Sequence, residues 1–229
     1  MPLVSLLVHG ALLGRLLAPA YPFAVGERLQ YEAKLGMLPI GTAVIAVNPM
    51  TRENGREAFV FAATGQGRPL GIRVGAELTS YVGARGFNSL RFHRRVFQGS
   101  SVDESQFQIV PDSSRYREMG DPRAWAAPPN PLDELAFLYY LRTAPLKVGQ
   151  TYSIPRYFKT GYNPVQVRVS GRDTETLPGG RSAPVLTLEI SSRNLQMAVA
   201  LTDDARRLPV RMEFPLPFGR VTLELTQAS

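Results

Sequence analysis

Asn130-Pro-Leu-Asp-Glu-Leu-Ala-Phe-Leu-Tyr-Tyr-Leu-Arg-Thr143 is the one stretch that reads as a buried helix in a chain otherwise patterned for strands. Asn130 suits the N-cap, and Pro131 suits the first helical position, where a missing N–H costs nothing. Asp133 and Glu134 then place negative charge in the positive first turn. From Leu135 to Leu141 almost every residue is apolar or aromatic, and a helix apolar on all sides has to be enclosed. The enclosure must come from the rest of the chain. That predicts a mainly β fold with one principal helix: a strongly curved antiparallel sheet, or an incomplete β-barrel, wrapped around the buried helix.

The flanking sequence supplies the strands. Leu29-Gln-Tyr-Glu-Ala-Lys-Leu35 alternates apolar and polar residues with period two, the mark of a strand with one buried face. Thr42–Val47 returns after a Gly36–Gly41 turn, and Glu57–Thr64 follows the turn-forming run Asn48–Gly55. Ser105–Val110 and Ser114–Met119 alternate in the same way. Short strand-like runs separated by turn signals follow at Pro164–Val169, Val185–Ile190, Leu195–Leu201, Val210–Phe214 and Val221–Leu225. Ile72–Val82 fits either a helix or a strand: Val74, Leu78 and Tyr81 have helical spacing, while its β-branched residues favour extension. The Pro-rich run from Asp121 to Pro131, with Trp125, is a linker that delivers the chain to the helix. A helix that needs strands on both sides argues for a single β-rich domain over residues 21–229.

Composition narrows the class. A hydrophobic content of 44% and a charged content of 20% over 229 residues are globular values and exclude a disordered chain. The 26 Lys and Arg, nearly all Arg, outnumber the 19 Asp and Glu, giving a net charge of +7 that suits anionic partners or simply an Arg-rich soluble surface. Cysteine is absent, which removes disulfides, thiolate metal sites, a cysteine nucleophile and a lipidated cysteine anchor. Residues 1–20 form an apolar opening ending in Ala18-Pro-Ala20, small residues at signal-peptidase spacing, and read as a secretory leader. The run departs from the usual pattern: no Lys or Arg precedes it, and His9 and Arg15 interrupt it.

Motifs for chemistry are few. Gly65-Gln-Gly-Arg-Pro-Leu-Gly71 misses the dinucleotide spacing, carries Pro69 where an N–H would face phosphate, and is read as a loop. With His9 in the leader, His93 would serve alone in any histidine chemistry. Asp203-Asp204 reads as a charged turn beside Arg206-Arg207, since adjacent strand residues point to opposite faces. No metal or cofactor site is expected, and no catalytic residue. Two clusters remain. Phe137, Tyr139, Tyr140 and Arg142 at the end of the helix could line the mouth of a site for an amphipathic ligand, or pack as core. Arg91, His93 and Arg95, on one face of Ser89–Phe97, could meet an anionic surface, or pair with Asp103, Glu104 and Glu118 on neighbouring strands. Nucleic acid is not expected as a partner of an exported chain.

Three groups of residues together resemble a bacterial envelope family known as domain of unknown function 3108. They are Phe23–Tyr31 with Ile40–Ala43, Leu132–Arg142 with Leu146–Tyr152, and Thr202–Arg211 with Phe218-Gly219. At Thr79–Arg85 the chain departs from that pattern, with Gly83 in place of an acidic turn residue. The Leu-Pro strand start and the Gly turn into a final apolar strand are also similar to periplasmic carriers of the lipoprotein-localisation type, which wrap a curved sheet around an apolar cavity. The resemblance implies an exported sheet-and-helix fold and transfers no catalytic residue. The expectation is therefore a non-enzymatic periplasmic binding or carrier protein for an apolar or amphipathic ligand. The alternative is a structural or assembly factor of the cell envelope acting through protein contacts. An enzyme using Asp203, Asp204 or His93 is the least favoured. Contact with a membrane surface is open, without a transmembrane segment in the mature chain.

Overall fold

The computed structural model describes residues 21–193, 195–216 and 219–229, so the leader expected at residues 1–20 lies outside the described residues. Before the helix come β1 (Arg28–Leu35), β2 (Leu38–Glu53), β3 (Arg56–Gly67), β4 (Val74–Gly83), β5 (Asn88–Gln98), β6 (Ser101–Val110), β7 (Arg115–Glu118) and β8 (Trp125–Ala126). After α1 (Glu134–Thr143) come β9 (Thr151–Ile154), β10 (Val165–Thr176), β11 (Ser182–Ser192), β12 (Leu195–Thr202), β13 (Pro209–Leu216) and β14 (Gly219–Ala228). All fourteen strands form one sheet, ordered β8-β7-β6-β5-β4-β3-β2-β1-β14-β13-β12-β11-β10-β9. Every pairing is antiparallel. Among the described residues the fold is mainly β with one α-helix, as expected, and the large antiparallel sheet is not closed.

This order puts β1 and β14 side by side in the middle of the sheet, with Leu29 opposite Ala228, and leaves β8 and β9 as its two edges. The chain between those edges, residues 127–150, carries α1. The segment before the helix ties the two halves together. Leu132 N–H donates to the Arg156 carbonyl at 2.6 Å, Phe158 N–H donates to the Leu132 carbonyl at 2.9 Å, and Ser89 N–H donates to the Pro131 carbonyl at 2.7 Å. Phe158 then packs with Phe92, Phe107 and Ile109 as a small second cluster. The main core joins Leu135, Ala136, Phe137, Tyr139 and Leu141 of the helix to Leu29, Tyr31, Ile45, Phe61, Val167, Leu188, Val199 and Met212 from both halves of the sheet.

Three local expectations are corrected and one left open is resolved. The N-cap is Asp133, not Asn130: its Oδ1 accepts from the Leu135 and Ala136 N–H groups, both at 3.0 Å. Asn130 sits in the left-handed region at φ 49°, so Pro131 and Leu132 lie ahead of the helix and are used for stitching instead. Ile72–Val82 resolves as strand β4 from Val74, because both of its edges are paired, to β3 and to β5. Gly65–Gly67 belongs to β3, and only Pro69–Gly71 forms the expected turn, a single 3₁₀ turn. In the linker, Trp125 and Ala126 pair with β7 as a short edge strand.

Candidate functional site

Directly opposite residues in an antiparallel pair share a face, so the register defines one continuous inner face. That face tapers. On β1 it runs Leu29, Tyr31, Ala33, and on β3 it runs Phe61, Ala63, Gly65, Gly67. Large side chains fill one end and small ones line the other.

At the filled end stands the helix. Tyr139 stacks on Phe61 with ring centroids 3.8 Å apart, and Phe23 meets Tyr139 edge-on at 5.0 Å. Arg142 is enclosed with Glu27, their side chains 1% and 5% exposed. Its Nη1 donates to Glu27 Oε1 at 2.6 Å and its Nη2 to Glu27 Oε2 at 2.9 Å, a bidentate pair that Nη2 extends to the Pro22 and Arg206 carbonyls. Asp133 holds the other end of the helix. Its Oδ2 accepts from Ser80 Oγ at 2.5 Å and Ser89 Oγ at 2.7 Å, while its own N–H donates to Ser89 Oγ at 2.8 Å. Burial outweighs these hydrogen bonds and pushes the Asp133 carboxyl up to about 7.

The four helix residues expected at a ligand mouth are thus distributed differently. Tyr139 and Arg142 are brought together, but as core, with the guanidinium already committed to Glu27. Phe137 is buried as well, and Tyr140 is half-buried beneath the Arg156 guanidinium, 4.7 Å from its ring centroid. The Tyr139 hydroxyl has no hydrogen-bond partner among the described residues, and burial raises its pKa.

The basic strand face is likewise satisfied. Arg91 pairs with Glu53 at 3.0 Å and lies over the Tyr81 ring. His93 meets Glu104 at 2.8 Å, and Arg95 reaches Glu77 at 3.3 Å and Glu104 at 3.7 Å. Of the partners expected for this strand, Glu104 and Asp103 are used, Asp103 by Arg94, whereas Glu118 accepts from Ser105 instead. Asp203 pairs with Arg172 and Arg207, and Asp204 accepts from Thr202 Oγ1 and two backbone N–H groups, which makes the pair a charged turn as read.

Two clefts open among the described residues: a shallow one of ≈ 670 Å³ beside Tyr21–Glu27 and Arg206, and one at the tapering end. The latter, of ≈ 550 Å³, is lined by Ala33, Gly65, Val74, Ala76, Val96 and Val221 among others. Its register is continuous: Ala33 faces Gly41, Gly41 faces Gly67, Gly65 faces Ala76, and Ala76 faces Val96. Glycine is required where β2 and β3 close in, since a Cβ on Gly41 would lie 2.0 Å from the Gln66 carbonyl oxygen. Among the described residues the lining contains no Asp, Glu, His, Lys or Arg, and its polar side chains are Thr42, Gln66 and Gln98. Such a wall can hold an apolar group, but it offers no carboxylate or imidazole for acid–base work and no charged ligand for a metal. Among the described residues, no cluster of His, Asp and Glu has metal-binding geometry. The sequence signal for the cleft was present in the small inward residues at strand ends, but alternation alone did not distinguish them from ordinary core.

A family model described as protein of unknown function (DUF3108) matches residues 30–226. No curated protein matches the chain. Among solved structures, a beta-barrel-like protein of domain of unknown function DUF1849 from Brucella abortus aligns with a TM-score of 0.57 at 10% identity. The alignment covers 89% of this chain and 96% of that one, and the likeness is one of fold.

Proposed function

Since the chain belongs to the family described as protein of unknown function (DUF3108), which carries no assigned activity, we propose from its own geometry that it is a non-enzymatic binding or carrier protein for an apolar or amphipathic ligand. The observation that carries this reading is the uncharged, mainly apolar cleft at the tapering end of the sheet. Its volume falls within the roughly 300–1,000 Å³ of small-molecule sites. The helix acts as a plug that the sheet curves around, filling one end so that the other stays open. The binding residues are those of the cleft, and Phe137, Tyr139, Tyr140 and Arg142 support it from below. Export accompanies the reading: the leader ending at Ala20 delivers the chain to the periplasm, where apolar cargo needs a soluble carrier. N-terminal sequencing of secreted protein checks this, and a chain still beginning at Met1 removes it.

Titration with a fluorescent fatty acid, alongside native mass spectrometry of freshly purified protein, tests the binding itself. Saturable uptake is expected, and Ala76→Trp, which fills the cleft, abolishes it. A protein that takes up no probe, or takes it up equally after Ala76→Trp, overturns the reading.

A further inference from the structure

The mouth of the cleft is a rim of turns joined by backbone hydrogen bonds. Gly36 N–H donates to the Arg220 carbonyl at 3.3 Å, Arg68 N–H to the Ile40 carbonyl at 2.8 Å, and Gly99 N–H to the Arg73 carbonyl at 2.7 Å. These bonds link the start of β14 and the β1–β2, β3–β4 and β5–β6 connections into one edge. Ile40, Pro69, Val74, Phe97 and Val221 on that edge also line the cleft.

Two properties of the rim decide what it can meet. The first is apolar exposure: Met37 is 96%, Leu38 59% and Ile72 48% exposed, three large hydrophobic side chains on adjacent turns. Large hydrophobic side chains such as Val25, Val102 and Met119 are exposed elsewhere too, but Met37 is the most exposed of them among the described residues, and these three gather at the mouth of an apolar cleft. The second is charge. Residues 35–42, 66–76, 96–102 and 219–222 contain Arg68, Arg73 and Arg220 but no Asp or Glu. Arg220 is held by Glu213 at 2.6 Å, whereas Arg68 and Arg73 meet no carboxylate among the described residues, and Arg73 instead lies 4.9 Å from the Phe97 ring centroid. Asp112, Asp203 and Asp204 lie in turns at the opposite end of the sheet, between β6 and β7 and between β12 and β13, and Asp121 in the β7–β8 turn is paired with Arg123. Arg91, His93 and Arg95, the basic residues that stand out in the sequence, all have carboxylate partners.

The geometry points to this rim as a docking surface for an anionic phospholipid bilayer, with Met37, Leu38 and Ile72 entering the headgroup region and Arg68 and Arg73 meeting lipid phosphates. Apolar tips beside free guanidinium groups combine partition of hydrocarbon with attraction to negative headgroups. A protein partner with an acidic rim would satisfy the arginines. The fully protruding, unbranched Met37 and its neighbours surround the opening of an apolar cleft, however, and a bilayer receives them without a complementary pocket. Docked this way, the cleft opens toward the acyl layer, so that an apolar ligand passes between the two without crossing water.

Flotation of the full chain with phosphatidylcholine vesicles, with and without phosphatidylglycerol, reads the proposal. Binding is expected only with phosphatidylglycerol and should weaken as salt rises. Arg68→Glu/Arg73→Glu should lower partitioning at least tenfold, at roughly fivefold or more per charge. Met37→Asp/Ile72→Asp should do the same, while Val25→Asp and Arg115→Glu, exposed at the other end, leave it unchanged. No binding to anionic vesicles, equal binding to neutral ones, or equal losses in the two controls overturns it. So does a wild-type chain whose rim variants alter only self-association. Ala76→Trp separates this inference from the ligand reading: vesicle binding survives when the cleft is filled, even if ligand uptake was never there to lose.

Discussion

The two ends of the inner face are built from the same strands and differ in almost every other respect. Within β3 alone the face passes from Phe61, stacked on Tyr139, through Ala63 to Gly65 and Gly67, which open onto the cleft. At the filled end, polar groups are enclosed and paired over long sequence distances: Arg142 with Glu27, and Asp133 with Ser80 and Ser89. At the open end no titratable group lines the wall. On the proposed reading, stability and binding are thereby separated along the strands. The filled end can hold the fold in one conformation, while the open end is free to keep an unfilled volume.

The comparison can be broken most severely at Arg142. Arg142→Ala leaves Glu27 buried without its partner and should cost about 3–5 kcal/mol, measured by urea denaturation. Replacing both partners, Glu27→Gln with Arg142→Met, should cost clearly less, because no lone charge remains. A smaller effect is expected in the pH dependence of stability. The Asp133 carboxyl lies at about 7 in the folded protein against an ordinary 3.8, so the folded state holds this proton more tightly than the unfolded one. Its contribution is complete below about pH 4 and is lost as pH rises toward 7. Asp133→Asn should flatten that part of the profile while keeping the helix cap, and a wild-type profile that rises over this window contradicts the assignment. Smaller again, Tyr139→Phe removes an unpartnered buried hydroxyl and should stabilise the protein by about 1 kcal/mol in the same denaturation assay. Smallest of all, Ala76→Trp should change stability by less than about 1 kcal/mol, because its side chain enters existing space rather than a filled core. A large loss there would mean the two ends are packed alike.

Much of the fold was legible in the sequence because its signals are local. Period-two alternation marked most strands, and the apolar run Leu135–Leu141 marked the helix. The N-cap was misread because Asn130-Pro131 has the local chemistry of a helix start. What decides it is Ser80 and Ser89, 53 and 44 residues from Asp133, which give that aspartate a buried seat. The role of Arg142 depends on Glu27, 115 residues away, so the residues alone could suggest a ligand mouth as readily as a core ion pair. The basic strand was legible as a strand and in part for its pairing, since Glu104 and Asp103 follow in the next strand of the hairpin. The cleft was not. Glycine and alanine at Gly65, Gly67 and Ala76 register as weak strand formers in the sequence, and only their cross-strand register gathers them on one face.

The neighbouring placement of β1 and β14 also governs how the chain assembles. All other ladders join strands consecutive in sequence, so residues 28–126 and 151–228 can each zip up by local hairpins with little loop-closure entropy. The seam alone brings Leu29 to Ala228, nearly the whole chain apart, and contacts of that separation form slowly. This topology predicts that the seam forms last, by docking of two preformed half-sheets, and pulse-labelled hydrogen exchange during refolding checks it. A chain nicked within residues 127–150 would keep the local pairing of both halves and lose the covalent tether that concentrates them for that last step.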